Sequence, residues 1–193
     1  MEQTRTREND DLQSLLRGAA TGDREAFKTI VSLHQQQVFL LAYSVLRNKE
    51  DALDIVQETF MRLFQKIDVY DKEGNFRAWL LQIAKNLCID YYRKNYARRR
   101  ELESEKPLNE LVLASTDSDA DPTSSDLSRA VSRSLQQLGD RQRMVFVMKH
   151  YNGLDYREIA EVLNIRLGTV KSLHFKAVRN LRRLLGPQLG MET

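Results

Sequence analysis

One stretch constrains this chain more than any other: residues 154–185, LDYREIAEVLNIRLGTVKSLHFKAVRNLRRLL. Asp155 followed three residues later by Glu158 has the spacing of a capping box, which also sets carboxylates at the positive start of a helix. Ile159, Ala160 and Leu163 then form a short apolar stripe at helical spacing. The run NIRLG at 164–168 interrupts that stripe, and Gly168 is expected to supply the backbone freedom for a sharp entry. From Thr169 the spacing predicts a second helix, apolar on one side through Val170, Leu173, Ala177, Val178, Leu181, Leu184 and Leu185. Its other side carries Lys171, Ser172, Lys176, Arg179, Arg182 and Arg183. Between Arg166 and Leu185 stand six basic residues and no acidic one. A basic helix face by itself usually means only a solvated surface. Here it coincides with an apolar stripe, a short turn and the small polar pair Thr169 and Ser172 at the helix start. Together these read as a DNA-binding helix-turn-helix.

The rest of the chain is consistent with helices throughout. Eight glycines and three prolines in 193 residues leave little room for an all-β fold, and the length suits two helical domains of modest size. No run approaches the roughly twenty apolar residues that a spanning helix needs, so no membrane insertion is expected. The opening MEQTRTRENDD is charged and has no apolar signal core, which argues against export. One cysteine, Cys88, excludes an internal disulfide and fits a reducing cytoplasm. The net charge of +3 conceals a strong segregation: residues 1–90 carry −2, 91–100 carry +5, 101–126 carry −7 and 127–193 carry +7. Two cationic zones separated by an anionic strip suggest two separate contacts with nucleic acid.

In chain order, residues 1–11 are polar and are expected to be disordered within an N-terminal extension, 1–19. From Asp23 a helical period runs through Phe27, Ile30, Val31, Val38, Leu41, Ala42, Val45 and Leu46. Asn48-Lys49 should end it, and from Asp51 a new stripe runs through Ala52, Ile55, Val56, Phe60, Leu63, Phe64 and Ile67. The opposite face shows Asp54, Gln57, Glu58 and Arg62, which on sequence alone are as readily solvated as functional. A loop from Asp68 to Asn75 leads into a helix packing through Phe76, Trp79, Leu80, Ile83, Ala84, Leu87 and Tyr91. Its other face offers Arg77, Gln82, Lys85, Asn86, Ile89, Asp90 and Arg93. Amides, cations and aromatics beside a loop are what single-stranded nucleic acid requires. Core packing is the stronger reading of Phe76 and Trp79, and surface solvation competes for Lys85 and Asn86. Tyr91, Tyr92 and Tyr96, interleaved with Arg93, Lys94 and Arg98, Arg99 and Arg100, suit a phosphate track better. Residues 101–126 read as a flexible acidic linker with one apolar patch, Leu111-Val112-Leu113. Helical spacing resumes with Leu127, Val131, Leu135, Leu138, Met144, Val145 and Met148.

Catalytic chemistry finds no foothold. His34, His150 and His174 lie apart with no CxxC partner, so neither a metal site nor a cofactor is indicated. Cys88 lies beside a core stripe and reads as a buried structural thiol. No glycine-rich phosphate loop, serine elbow or paired inward carboxylates occur, so the chain is not expected to be an enzyme.

Three motifs in this order, DALDIVQETFMRLF at 51–64, FRAWLLQIAKNLCIDYYRK at 76–94 and LDYREIAEVLNIRLGTVKS at 154–172, resemble the extracytoplasmic-function (ECF) sigma factors. These are small specificity subunits of bacterial RNA polymerase. The resemblance implies an all-α protein with a helical domain at 20–100, a linker at 101–126, a helix-turn-helix domain at 127–187 and a tail at 188–193. The first domain would dock on the clamp helices of the largest polymerase subunit through Asp54, Gln57 and Glu58. It would also open the −10 element, with Tyr70, Asn75, Arg77, Lys85, Asn86 and Arg93 around a base flipped out of the single strand. The second domain would sit near the polymerase flap and read the −35 duplex through Arg166, Thr169, Lys171, Ser172, Phe175, Lys176 and Arg179. The acidic linker would thread the RNA path, and an anti-sigma factor is an expected partner. Two positions depart from the family pattern. Leu173 replaces the usual arginine after TVKS, and Gly139 stands where proline often precedes DRQR.

Two further readings account for part of the chain. A stand-alone helix-turn-helix regulator explains 154–185 but leaves the 76–94 motif and the acidic linker without a role. A helical adaptor that never touches DNA leaves the segregated charge unexplained.

Overall fold

Short polar side chains decide where four of the helices begin. The computed structural model describes the backbone of residues 2–70, 75–100 and 130–186, and the side chains among these except 2–9, 69 and 95–100. The expectations for the acidic linker with its Leu111-Val112-Leu113 patch, for Leu127, and for the tail lie outside the described residues. Every regular element among the described residues is helical, and the chain divides into two compact units, Met1–Ala97 and Arg98–Thr193.

The first unit comprises α1 (Glu2–Ala20), α2 (Arg24–Leu46), α3 (Lys49–Lys66), a single 3₁₀ turn (Ile67–Val69) and α4 (Phe76–Arg100). Helix α1 corrects the expectation of a disordered start. Leu12, Leu15, Leu16 and Ala19 keep helical spacing, and Leu16 and Ala19 are buried where α1 packs on α2. Glu2, Gln3, Arg5, Arg7 and Glu8 among the polar residues before them favour helix, and α1 continues backwards from the packed turns to Glu2. Gly22 turns the chain with φ 94°, a conformation that side-chain-bearing residues rarely adopt. Asp23 then caps α2, its carboxylate accepting from the Glu25 and Ala26 N–H groups at 2.9 and 3.1 Å. Arg47, left-handed at φ 56°, closes α2, and Asn48 beside it opens α3, its side chain accepting from the Asp51 N–H at 2.9 Å.

The core of this unit is Ile30, Val38, Leu41 and Ala42 of α2, Ala52, Ile55, Phe60 and Leu63 of α3, and Phe76, Leu80, Leu81, Ala84, Leu87 and Cys88 of α4. Truncating one such fully buried leucine costs about 2–5 kcal/mol. The Tyr91 hydroxyl donates to the Asp51 carboxylate and ties α4 to the start of α3. Cys88 is an inert part of this core, its thiol pushed up to about 12 by burial. Phe64 departs from the predicted stripe. It is 59% exposed, with one edge against Phe27 at 5.3 Å between centroids.

The second unit contains α5, described over residues 130–136, then α6 (Asp140–His150), α7 (Tyr156–Leu163) and α8 (Leu167–Leu185). Leu135 and Leu138 pack with Ala177 and Leu181 of α8. Gly139 offers no side-chain cap to α6, and the buried Arg143 holds the junction instead. Its guanidinium donates to the Leu138 and Gln136 carbonyls at 3.0 and 3.4 Å and pairs with Asp140 at 2.7 Å. The capping box at α7 forms as its spacing predicts: Asp155 accepts from the Arg157 and Glu158 N–H groups, and Glu158 accepts from the Asp155 N–H at 2.6 Å. The bond from the Glu158 N–H leads in holding the Asp155 carboxyl below its usual range.

Two details of the helix-turn-helix differ from the sequence reading. The left-handed residue in the turn is Asn164, at φ 51°, a conformation asparagine tolerates, while Gly168 lies inside the first turn of α8 with open space around it. The short helix is buried through Ile159 and Val162, with Ala160 and Leu163 half-exposed. On α8 the buried line is Val170, Ala177 and Leu181, flanked by half-buried Leu173 and Val178.

Candidate nucleic-acid interface

Helix α8 separates its two jobs by angle. At 100° per residue, Val170, Ala177 and Leu181 lie within an arc of about 40°, and Ser172, Phe175 and Arg179 fall near the opposite pole. All seven predicted duplex-reading residues, Arg166, Thr169, Lys171, Ser172, Phe175, Lys176 and Arg179, are exposed, as are Arg182 and Arg183. Phe175 is 67% exposed, so its ring contributes little to this fold. A cationic helix face carrying one free aromatic ring and two hydroxyls offers phosphate partners, hydrogen-bond donors and an apolar contact for a base edge.

The single-strand residues of the first unit are distributed differently. Asn75, Gln82, Asn86 and Arg93 are all exposed and follow one another at intervals of seven, four and seven, which is one line along α4. That line spans about 27 Å at the helical rise. Asn75 has a second duty, since its side chain accepts from the Ala78 N–H at 3.1 Å and caps α4. Arg77 lies half-buried off the line, and Lys85 is only 9% exposed, its ammonium pushed below the ordinary lysine range by burial. Tyr70 is buried, packed at 5.4 Å on Phe76 and at 5.0 Å on Trp79, so its ring supports the helix start from within. Beneath them His34 meets the Phe76 ring at 5.2 Å and bonds Gln37 at 3.1 Å. Burial keeps its imidazole below the usual histidine range, with the Gln37 bond opposing and Arg77 reinforcing the shift. Tyr92, Arg93 and Lys94 of the expected phosphate track are exposed, Tyr91 is tied to Asp51, and the side chains of Tyr96 and Arg98–Arg100 lie outside those described.

A third surface lies on α3. Asp54 and Gln57 are exposed and Glu58 is half-buried, paired with Arg62 at 3.0 Å. Sequence reading overlooked what surrounds them: Leu53, Met61 and Phe64 are 43%, 58% and 59% exposed, and Leu33 on α2 is 57% exposed. The available signal was that apolar residues cover too wide an arc of α3 for one buried stripe, because Leu53 and Met61 fall outside the line of Ala52, Ile55 and Leu63.

The helices carrying these faces coincide with two family models, Sigma-70 region 2 over residues 30–99 and Sigma-70, region 4 over residues 128–181. The chain is 34% identical over 170 residues to the ECF RNA polymerase sigma factor SigW of Bacillus subtilis, covering 85% of this chain and 91% of that protein. The chain belongs to the ECF sigma factors. The ECF RNA polymerase sigma-E factor of Haemophilus influenzae is 30% identical over 190 residues, 91% of this chain and 95% of the relative. Among solved structures, the sigma factor is similar to CnrH in complex with the cytosolic domain of CnrY, with TM-score 0.65 and 26% identity over 92% of this chain and 98% of that one. It is also similar to the sigma factor RpoE in complex with the anti-sigma factor NepR from Bartonella quintana, with TM-score 0.62 and 27% identity over 82% and 96% of the two chains. As a sigma factor it is a DNA-binding transcription initiation factor, and among the described residues no helix is long and apolar enough to cross a membrane.

Proposed function

We propose that this sigma factor directs core RNA polymerase to its promoters by dividing the work among three faces. The domain at 127–187 reads the −35 duplex, with Ser172, Phe175 and Lys176 at base edges and Arg166, Thr169, Lys171 and Arg179 on the backbone. The domain at 20–100 holds the opened −10 strand along Asn75, Asn86 and Arg93, while Tyr70 and Arg77 shape the helix start behind that line and Lys85 lies buried farther along the helix. Helix α3 docks on the clamp helices of the largest polymerase subunit, Asp54, Gln57 and Glu58 supplying polar contacts and Leu53, Met61 and Phe64 the buried area. The second domain sits near the flap, and the linker at 101–126 follows the RNA path, its charge imitating nucleic acid. An anti-sigma factor is a natural partner, because the similar sigma factor RpoE is held by one, NepR. The chain acts in the cytoplasm and catalyses nothing itself.

The observation that carries this reading is α8, where every candidate base and phosphate contact is exposed and the core is confined to the opposite side. The test is transcription by purified core polymerase with and without this chain on a genomic DNA library. Starts that share −10 and −35 elements and appear only with the chain support the reading. An unchanged transcript set overturns it.

A further inference from the structure

Helix α8 is fastened to its neighbours by a polar contact that its apolar core does not require. His150, at the end of α6, and His174, on α8, bring their Nε2 atoms to 2.8 Å, the rings meeting edge to edge with centroids 5.1 Å apart and planes within 21° of parallel. On its far side, His174 Nδ1 lies 3.1 Å from the hydroxyl of Tyr156, the first residue of α7. The contact therefore runs from α6 through α8 to α7. Phe146 flanks both imidazoles, at 4.3 Å from His150 and 6.3 Å from His174 between centroids.

Two imidazole nitrogens at 2.8 Å share one hydrogen. Two ligands of a single tetrahedral zinc ion would stand about 3.3 Å apart, given bonds of 2.0–2.1 Å, so the geometry is that of a hydrogen bond. With both rings neutral, one Nε2 donates and the other accepts. One added proton is accommodated, because a His174 imidazolium donates from Nδ1 to the tyrosine oxygen and from Nε2 to His150. A second proton must go to His150 Nε2, which then points a hydrogen at a hydrogen, and the bond cannot survive.

We propose that His150, His174 and Tyr156 form a proton-gated clasp that positions the recognition helix, closed until the pair takes its second proton. The inference rests on the reading that α8 recognises the −35 duplex. His174 sits directly between Leu173 on the core side and Phe175 on the exposed side, so releasing it frees the helix to turn and carries Ser172 and Phe175 with it. The groups facing the pair set the direction of titration. From α6 comes the Lys149 ammonium, 5.0 Å above the Tyr156 ring, and from α7 the neutral Tyr156 hydroxyl, while the Asp155 carboxylate nearby is engaged in its own helix cap. Burial first, and then Lys149, lowers the pKa of His150; burial, His150 and Lys149 lower that of His174. With folded values depressed, the clasp contributes fully above the unfolded histidine value of about 6.5 and is lost as pH falls through the folded values. Simple electrostatics has the opposite sign, since added positive charge on this domain should tighten DNA binding in acid.

The experiment uses the full chain with core polymerase on a promoter and on the same promoter with its −35 element scrambled, in a pH series from about 7.5 down to the onset of acid unfolding. Preference for the intact element should fall about fivefold in acid, the worth of one lost hydrogen bond. The His150→Gln/His174→Gln double variant keeps amide partners that do not titrate, and its preference should not change with pH. If the double variant loses helicity, the single variants provide the same profile. Imidazole NMR titration of the full chain, assigned with those variants, should show two coupled steps. An equal acid loss in parent and double variant, or two independent titrations, overturns the clasp. Absence of any −35 preference at pH 7.5 removes the reading of α8, and the NMR titration then judges the clasp without DNA.

Discussion

The two candidate DNA-reading helices, α8 and α4, solve the same problem with opposite economies. On α8 the residues that would meet DNA are all surplus to the fold, since the buried line of Val170, Ala177 and Leu181 needs none of them. On α4 the equivalent residues are shared. Asn75 caps the helix, Tyr70 fills an aromatic cluster beneath its first turn, and Lys85 is buried along its side. A surface separated from its core permits substitutions that change recognition alone. A surface merged with its core binds stability and recognition together, which suits a site that must stay rigid while a strand is pulled open.

The largest expected effect breaks this comparison most cleanly. Tyr70→Ala should remove a buried ring packed on Phe76 and Trp79 and cost about 3–5 kcal/mol, whereas Phe175→Ala should stay within about 0.5 kcal/mol. Urea denaturation of the two variants checks this. Equal destabilisation would mean that α8 shares its surface with its core after all. Next in size, Lys176→Ala should cost about 1–3 kcal/mol at its own base pair and relax preference there, with the unfolding midpoint unchanged. Binding to duplexes varied one position at a time, alongside thermal melting, separates the two quantities.

Asn75 lets the shared economy be dissected. Asn75→Ala should cost about 1 kcal/mol through the lost cap and also impair promoter opening. Asn75→Asp retains a capping oxygen, so stability should return, but it loses the amide donors and adds a charge that repels the strand. Permanganate footprinting of the −10 region with each variant measures opening. Recovery of opening together with stability in the aspartate variant would show that the residue serves the fold alone.

Why the two helices were unequally legible follows from the same contrast. On α8, charge and apolar residues segregate at a fixed period, and a single face of a helix is what periodicity reports. On α4, Lys85 lies at core spacing, four residues after Leu81 and three before Cys88, but its charge made it read as surface, and Tyr70 precedes the helix, where no helical period reports burial. Helix α1 was missed because its apolar residues begin only at Leu12, after a charged run whose helicity comes from the packing of Leu16 and Ala19. The turn was misassigned from Asn164 to Gly168 because glycine is the commoner left-handed residue. On α3, Phe64 was placed in the core stripe and Leu53 and Met61 were passed over, since hydrophobicity marks what leaves water and not which partner removes it.

The smallest expected effect sharpens the account of α8. Arg182 and Arg179 are both exposed on its cationic side, yet Arg182 lies more than two turns beyond Ser172, where a helix entering the groove by its N-terminal end is leaving the bases. Arg182→Ala should therefore weaken cognate and scrambled duplexes alike, and the slope of log affinity against log salt should fall by about one unit for the phosphate released. Lys176→Ala should instead weaken the cognate duplex more than the scrambled one. Salt titrations of the full chain with each variant on both duplexes resolve the pair. If the two substitutions produce equal, sequence-independent losses, α8 tracks the backbone along its whole length. Specificity would then have to come from the shape of the duplex or from the −10 strand on α4. If Arg182→Ala changes base preference, the helix lies deeper in the groove than its N-terminal entry implies.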